Sequence, residues 1–240
     1  MSEPVDLGVL GQALKQGEIE LQGQFMPGSN YTFLVKVHYN GLELQAVYKP
    51  SKGEQPLWDF PDQTLAHREV AAYLVSQALG WCFVPFTVLR PEGPYGPGSI
   101  QQYIEYDPNY HYFNFKEEDK ARLKPVMLFD LLCNNADRKG SHVLIEEWTR
   151  KLWLIDHGLC FHEDDKLRTV IWDFAGEPIP DDLLKPLAHL PAAQDLFVDL
   201  QPYLSPSEIN ALAARAEALV SSRVFPHPPE YRRAYPYPPV

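Results

Sequence analysis

The chain has 240 residues, 45% of them hydrophobic, and a formal net charge of −11. It can bury a sizeable core, and its negative charge disfavours non-specific binding to nucleic acid or anionic lipid. No apolar stretch reaches the ~18 residues of a transmembrane helix, residues 1–10 lack the pattern of a secretory signal, and the three cysteines are too widely spaced to suggest disulfides or a zinc site. We therefore expect a soluble cytoplasmic protein that neither binds nucleic acid nor inserts stably into a membrane.

The first hundred residues predict a small antiparallel sheet with one long helix. Apolar residues alternate on both sides of Asn40-Gly41, and Asn-Gly between alternating runs is the strongest short-range signal of a β-hairpin. The apolar spacing then changes to that of a helix, which Gly80 is expected to end. The predicted elements are a short helix and strand over 6–22, the hairpin over 31–48, the helix over 64–79, and strands over 86–90 and 99–105.

The rest of the chain predicts helices around two short strands. Pro125 interrupts the helical pattern of residues 117–134 and must start or kink a helix. Apolar segments follow at 143–145 and 152–155. The sequence Ser-Pro-Ser-Glu from Ser205 is a capping box that opens a helix ending near Ser221.

The last fifteen residues contain six prolines, which favours extended polyproline II structure and excludes a core element. We expect a strap across the surface or a loose tail, in preference to a recognition motif. The chain is accordingly divided into an N-lobe over residues 1–105, a C-lobe over 106–225 and a proline-rich tail over 226–240.

Candidate nucleotide-binding residues occur in the predicted N-lobe. Lys49 closes the second hairpin strand and Glu69 lies early in the following helix, the order in which kinases hold a lysine ammonium against the α- and β-phosphates. Each residue alone is equally explained as a solvated charge. The turn with Gly28, Ser29 and Asn30 precedes the hairpin and could direct backbone N–H groups at phosphate, although an ordinary β-turn explains it as well. Backbone groups for adenine are expected at the end of the 99–105 strand, from Gln102, Tyr103 and Ile104.

Two polar motifs in the C-lobe carry most of the functional information. Asp137 lies in Asn-Asn-Ala-Asp-Arg-Lys-Gly-Ser-His over residues 134–142, and Asp156 begins an Asp-x-Gly after the next apolar segment. This is the layout of a kinase catalytic loop and metal-binding aspartate, in which one carboxylate orients or deprotonates the acceptor hydroxyl and the other binds Mg²⁺. Lys139 would neutralise charge on the γ-phosphate, and Arg138 would brace the loop.

His142 occupies the position where kinases place an asparagine for the second metal ion. Imidazole is a poorer ligand for Mg²⁺ than an amide oxygen, because Mg²⁺ prefers hard oxygen donors. The expected metal ligands are therefore Asp156 and His142, and the exchange points to a single metal, a preference for Mn²⁺, or weak catalysis.

Three segments resemble the phosphatidylinositol 3- and 4-kinase-like group, and among them the type II phosphatidylinositol 4-kinases and a related family of small bacterial proteins. They are Val47-Tyr48-Lys49-Pro50, the helix 68–75 with Val84-Pro85-Phe86-Thr87, and Asn135-Ala136-Asp137-Arg138 with Leu154-Ile155-Asp156-His157-Gly158-Leu159. The resemblance covers roughly residues 25–165. It implies an α+β, bilobal protein-kinase-like fold, with a small antiparallel N-lobe sheet, a mainly helical compact C-lobe, and ATP and Mg²⁺ or Mn²⁺ in the cleft.

A lipid substrate is not implied, because the chain is acidic and lacks a basic membrane face. The leading hypothesis is a kinase that phosphorylates a hydroxyl of a protein or a small polar metabolite. The alternatives are a nucleotide-binding pseudokinase that acts as a regulatory scaffold, with the proline-rich tail meeting a partner, and a nucleotidyl transferase that would release pyrophosphate.

Overall fold

The computed structural model describes residues 6–25 and 31–240. Its N-terminal part is built on an antiparallel sheet, and its C-terminal part is mainly helical. The strands are β1 (Glu18–Gln24), β2 (Phe33–Tyr39), β3 (Leu42–Pro50), β4 (Thr87–Arg90), β5 (Gly98–Gln102), β6 (Val143–Ile145) and β7 (Leu152–Leu154). The helices are α1 (Leu7–Gln16), α2 (Leu65–Ala78), α3 (Glu117–Lys120), α4 (Lys124–Cys133), α5 (Asp181–His189), α6 (Gln194–Leu200) and α7 (Pro206–Ser222).

Five strands form the N-terminal sheet in the order β1-β2-β3-β5-β4, with every neighbouring pair antiparallel. The predicted hairpin joins β2 and β3, and both Asn40 and Gly41 have the positive φ that a tight hairpin turn requires. Alternate side chains of β2, including Val35 and Val37, are fully buried against Leu14 of α1. One face of the sheet is therefore packed against α1. Because β3 pairs with strands on both sides, the position of its C-terminal end is fixed by the sheet.

Helix α2 contacts both parts of the molecule. Its residues Ala72 and Val75 belong to the same fully buried cluster as Phe129 and Leu132 of α4. On the other side, its Tyr73 ring contacts Phe86, which packs on the core of the sheet. The residues that α2 contributes to the space between the parts are consequently held on a rigid element.

The structure differs from the sequence-based expectation in a few elements. The helix predicted over 117–134 is divided into α3, a 3₁₀ turn and α4, and Pro125 lies in the first turn of α4. Proline fits there because the first N–H groups of a helix have no intrahelical partner. Strand β5 ends at Gln102, before the predicted residue 105, and α5 and α6 were not predicted. Cys133 and Cys160 are buried free thiols, whereas Cys82 is only partly buried.

The proline-rich segment crosses the surface as a strap. Its Ala234 carbonyl accepts a hydrogen bond from the Thr169 backbone N–H at 3.1 Å, and its Pro239 carbonyl accepts one from the Gly140 N–H at 2.8 Å. The Arg232 side chain is hydrogen-bonded to the carboxylate of Asp165. Of the two forms expected for this segment, the structure thus shows the strap. The domain boundaries at residues 105 and 225 stay predictions.

Within the described residues, no helix combines the length and apolar character needed to cross a bilayer.

Candidate active site

A cleft between the sheet and the helical part encloses a cavity of about 560 Å³, within the range of small-molecule sites. Residues from β3, α2, the segment after β5 and the two polar motifs line it. The predicted site residues in the cleft are Lys49, Glu69, Gln102, Tyr103, Ile104, Asp137, Lys139, His142 and Asp156. The predicted phosphate-loop residues Gly28, Ser29 and Asn30 lie outside the described residues.

The lysine of β3 is paired with carboxylates from both sides of the cleft. The Lys49 ammonium forms an ion pair with Glu69 of α2 and lies 3.0 Å from Asp156 Oδ1. Burial alone would lower the pKa of Lys49, but the charges of Asp156 and Glu69 raise it above its usual range. The side chain of Glu69 is only 3% exposed, so the ammonium is charged and is held by a rigid partner.

Asp156 and His142 lie together at the base of the cleft. Asp156 Oδ2 is 3.2 Å from His142 Nε2, and the Asp156 backbone has the left-handed φ of 62°, which is uncommon for a residue other than glycine. Burial lowers the pKa of His142 to about 4. Its imidazole is therefore neutral at pH 7, with Nε2 facing Asp156 and Nδ1 accepting from the Lys139 backbone N–H at 3.4 Å.

Asp137 lies five positions before His142 in the same loop. Its Oδ2 is 3.4 Å from Lys139 Nζ, and its backbone N–H donates to Asn135 Oδ1 at 2.9 Å. Burial and the negative charge of Asp156 outweigh Lys139 and raise the pKa of Asp137 to about 6. A carboxyl group with this pKa can accept a proton near neutral pH, as a general base requires.

Arg138 connects the two polar motifs from behind the cleft. Its guanidinium donates to Asp130 Oδ1 at 2.9 Å, to the Ile155 carbonyl at 2.8 Å and to His157 Nε2 at 2.8 Å. The Thr169 hydroxyl donates to the second oxygen of Asp130 at 3.0 Å. The side chains of Arg138 and Asp130 are fully buried. This network braces the loop over residues 134–142, as predicted for Arg138, and it also fixes the backbone that precedes Asp156.

The sequence-based prediction missed Asp130 as a partner in this network. A signal was present, since Asp130 is flanked by Leu128-Phe129 and Leu131-Leu132 in a helix whose only other charged residue is Lys124 at its start. Charged residues are almost never fully buried unless they are paired. A carboxylate in this position therefore indicates a buried cation, although it does not identify which one.

Searches among known proteins give one relative in sequence and several in structure. The Mycobacterium tuberculosis protein Rv2133c is 38% identical over 256 residues, and the alignment covers 91% of each chain. No family model matches the chain, so the resemblance to phosphatidylinositol 3- and 4-kinase-like proteins stays a prediction.

Three solved structures illustrate the similarity in fold. The Helicobacter pylori proinflammatory kinase CtkA superposes with a TM-score of 0.54 at 13% identity, covering 88% of this chain and 94% of that one. The Golgi casein kinase with Mn/ADP bound gives 0.58 at 15%, covering 96% and 80%, and hydra Fam20 with sugar gives 0.57 at 15%, covering 92% and 90%. Identities this low show the fold alone, and the predicted α+β kinase-like fold is confirmed.

Proposed function

The chain belongs to the same family as the Mycobacterium tuberculosis protein Rv2133c, and from its kinase-like fold we propose that it is an ATP-dependent phosphotransferase. It would move the γ-phosphoryl group of ATP to a hydroxyl of a protein or a small polar acceptor. The observation that carries this proposal is the convergence of Lys49, Glu69, Asp137 and Asp156 in one cleft. These are the four residue types, in the chain order and on the elements, that phosphoryl transfer in a kinase fold requires.

We expect ATP to bind the cleft in one orientation. Lys49, charged and fixed by Glu69, is suited to contact the α- and β-phosphates. Gln102, Tyr103 and Ile104 also line the cleft. Because the Gln102 and Tyr103 N–H groups already donate to the Phe86 and Gln45 carbonyls, the remaining backbone groups of this segment would pair with the adenine edge. A kinase-like structure with Mn/ADP bound supports the use of a nucleotide with a divalent cation.

The donor set of the cleft fits one divalent cation that also binds phosphate oxygens. The Asp156 side chain is 48% exposed, and Mg²⁺ in such sites is held by one or two carboxylates together with substrate phosphates. His142 adds a neutral imidazole, which suits Mn²⁺ better than Mg²⁺. The cation would neutralise charge on the β- and γ-phosphates. No group of three His, Cys, Asp or Glu side chains converges anywhere in residues 6–25 and 31–240 to hold a metal, so in the cleft the phosphates and water would have to complete the coordination that Asp156 and His142 begin.

Asp137 and Lys139 supply the chemistry on the acceptor side. The Asp137 carboxylate orients the acceptor hydroxyl and takes its proton as the hydroxyl oxygen bonds to the γ-phosphorus and the bond to the β-phosphate oxygen breaks. Lys139, 3.4 Å from Asp137, places a positive charge next to the transferred phosphoryl group, where it stabilises the transition state.

The first test is a thermal-shift titration with ATP and either Mg²⁺ or Mn²⁺. At about 100 times the Kd, bound ligand stabilises the native state by about 2.7 kcal/mol, and this shift should disappear in Asp156→Ala. The matched control is Glu217→Ala, which removes an exposed carboxylate of α7 and should keep the full shift. The absence of a shift with any nucleotide in the wild type would refute the proposal.

A pseudokinase is the second candidate, favoured by His142 in place of asparagine and by the engagement of both Asp156 oxygens, one with Lys49 and one with His142. Product analysis separates the possibilities once binding is established. ADP formation that Asp137→Ala abolishes identifies a kinase, and pyrophosphate release identifies a nucleotidyl transferase. Binding without turnover in the wild type identifies the pseudokinase.

A further inference from the structure

The segment around Arg168 lies directly beside the catalytic loop. The Arg138 N–H donates to the Arg168 carbonyl at 3.0 Å, and the Arg168 N–H donates to the Asn135 carbonyl at 2.8 Å. These bonds, with that from the Val170 N–H to the Arg138 carbonyl at 3.2 Å, pair Arg138 with Thr169 in a parallel bridge. Arg168 is therefore the neighbour of Asp137 across this pairing.

The parallel pairing of Arg138 with Thr169 also indicates the side to which the Arg168 side chain points. Arg138 and Thr169 both bond to the buried carboxylate of Asp130, so both point into the interior. Successive residues of extended chain point to opposite sides. Asp137 and Arg168 consequently share the other side, which for Asp137 is the cleft.

The Arg168 guanidinium is a half-buried cation with unused donors. Within the described residues, its side chain forms no hydrogen bond or ion pair, and the near partner of Asp137 is Lys139. The positive charge of Arg168 nevertheless reaches Asp137, since it counteracts the effect of burial on the pKa of that carboxyl. Arg168 is not among the residues that line the nucleotide cavity, so its charge lies beside Asp137 at the margin of that cavity.

Building on the phosphotransferase function proposed above, we propose that Arg168 binds an anionic group, a carboxylate or a phosphate, that the acceptor carries close to its reactive hydroxyl. A guanidinium presents a planar fork of N–H donors that matches either group bidentately. The net charge of −11 repels anions at long range, so an anionic acceptor needs a local cation next to Asp137. Arg168 thus acts as a specificity residue for the acceptor.

The test compares matched pairs of acceptors that differ only in charge. One arm uses degenerate serine, threonine and tyrosine peptides flanked by glutamate or by glutamine, and the other uses small hydroxyl compounds such as glycerol 3-phosphate and glycerol. The variants are Arg168→Gln and Arg168→Lys. Lys185→Gln, which removes an exposed charge from α5, is the control. The arm that is phosphorylated identifies the source of the anion.

We expect the wild type to favour the anionic member of a pair by at least about tenfold in kcat/KM, as one charge-assisted hydrogen-bonded pair provides. Arg168→Gln should raise the acceptor KM by about the same factor and remove the preference. Arg168→Lys should restore part of it, and the KM for ATP should be unchanged in both variants. Lys185→Gln should behave as the wild type.

Two results would overturn the inference. One is a wild type that turns over nucleotide but prefers neutral acceptors or phosphorylates no anionic one. The other is an unchanged charge preference in Arg168→Gln. Either leaves the phosphotransferase proposal standing, because that proposal fails if the wild type shows no nucleotide-dependent thermal shift or does not convert ATP to ADP.

Discussion

The environment of Asp137 predicts a pH-dependent reaction. Because burial and Asp156 raise the pKa of Asp137 to about 6, the carboxylate needed as base is depleted in acid and predominates above that pH. The rate should rise with pH through about 6 and level off near neutrality. His142, with its pKa lowered to about 4, does not titrate in this window. The pH profile of kcat/KM measures the midpoint, and Asp137→Asn should abolish turnover while nucleotide still binds.

His142 should determine which metal the site accepts. Replacing its imidazole with the oxygen-donating amide of His142→Asn favours Mg²⁺ over Mn²⁺. Calorimetry gives the ADP affinity in the presence of each metal. The ratio of the affinity with Mg²⁺ to that with Mn²⁺ should rise by about tenfold, which corresponds to about 1.4 kcal/mol. His189→Asn, at an exposed position, is the control. An unchanged ratio would show that His142 is not a ligand.

The Arg138–Asp130 pair makes the stability of the loop depend on both partners. Arg138→Met leaves the fully buried Asp130 carboxylate without its cation, and breaking a buried pair in this way costs about 3–5 kcal/mol. The double variant Arg138→Met/Asp130→Leu removes both charges and should recover much of the loss. Urea denaturation of the four proteins in the cycle gives the coupling energy. If the stability loss of the double variant equals the sum of the losses of the two single variants, Arg138 and Asp130 are not energetically coupled.

At the scale of elements, α7 stabilises the molecule in two ways. Ser205 caps its first turn, and the Glu208 carboxylate both completes the capping box and pairs with the buried Arg68 of α2. Ser205→Ala should therefore cost about 1 kcal/mol. Glu208→Ala should cost about 3 kcal/mol, because it also leaves Arg68 unpaired. The two values from denaturant unfolding should differ, and equal values would show that the Arg68 pair contributes nothing.

This helix also illustrates what the sequence can predict. The Ser205 cap, the Asn40-Gly41 turn and a helix start or kink at Pro125 were all predicted, because each depends on residues within one turn of chain. The partner of Glu208 was not predicted, since Arg68 is 140 positions away and only the packing of α2 on the helical part brings the two together. The candidate site divides in the same way. The spacing of Asp137, Lys139 and Asp156 was visible in the sequence, whereas the partner of Asp130 and the positions of His157 and Arg168 became recognisable only through contacts.

At the scale of the whole molecule, the position of α2 predicts one cooperative unfolding transition. Helix α2 contributes Ala72 and Val75 to the cluster that contains Phe129 and Leu132. Its Tyr73 ring contacts Phe86, which packs on the core of the sheet, so unfolding of the helical part removes a support of the sheet. Tryptophan fluorescence and far-UV circular dichroism should give coincident urea curves. Separate transitions would indicate that the two parts unfold independently.

The strap has a consequence for synthesis on the ribosome. The Pro239 carbonyl that accepts from the Gly140 N–H is translated about a hundred residues after the loop it contacts. At about 5–20 residues per second, the nascent chain carries Gly140 for about 5–20 seconds before that partner exists. The loop over residues 134–142 thus receives this hydrogen bond only after every other described element has been made.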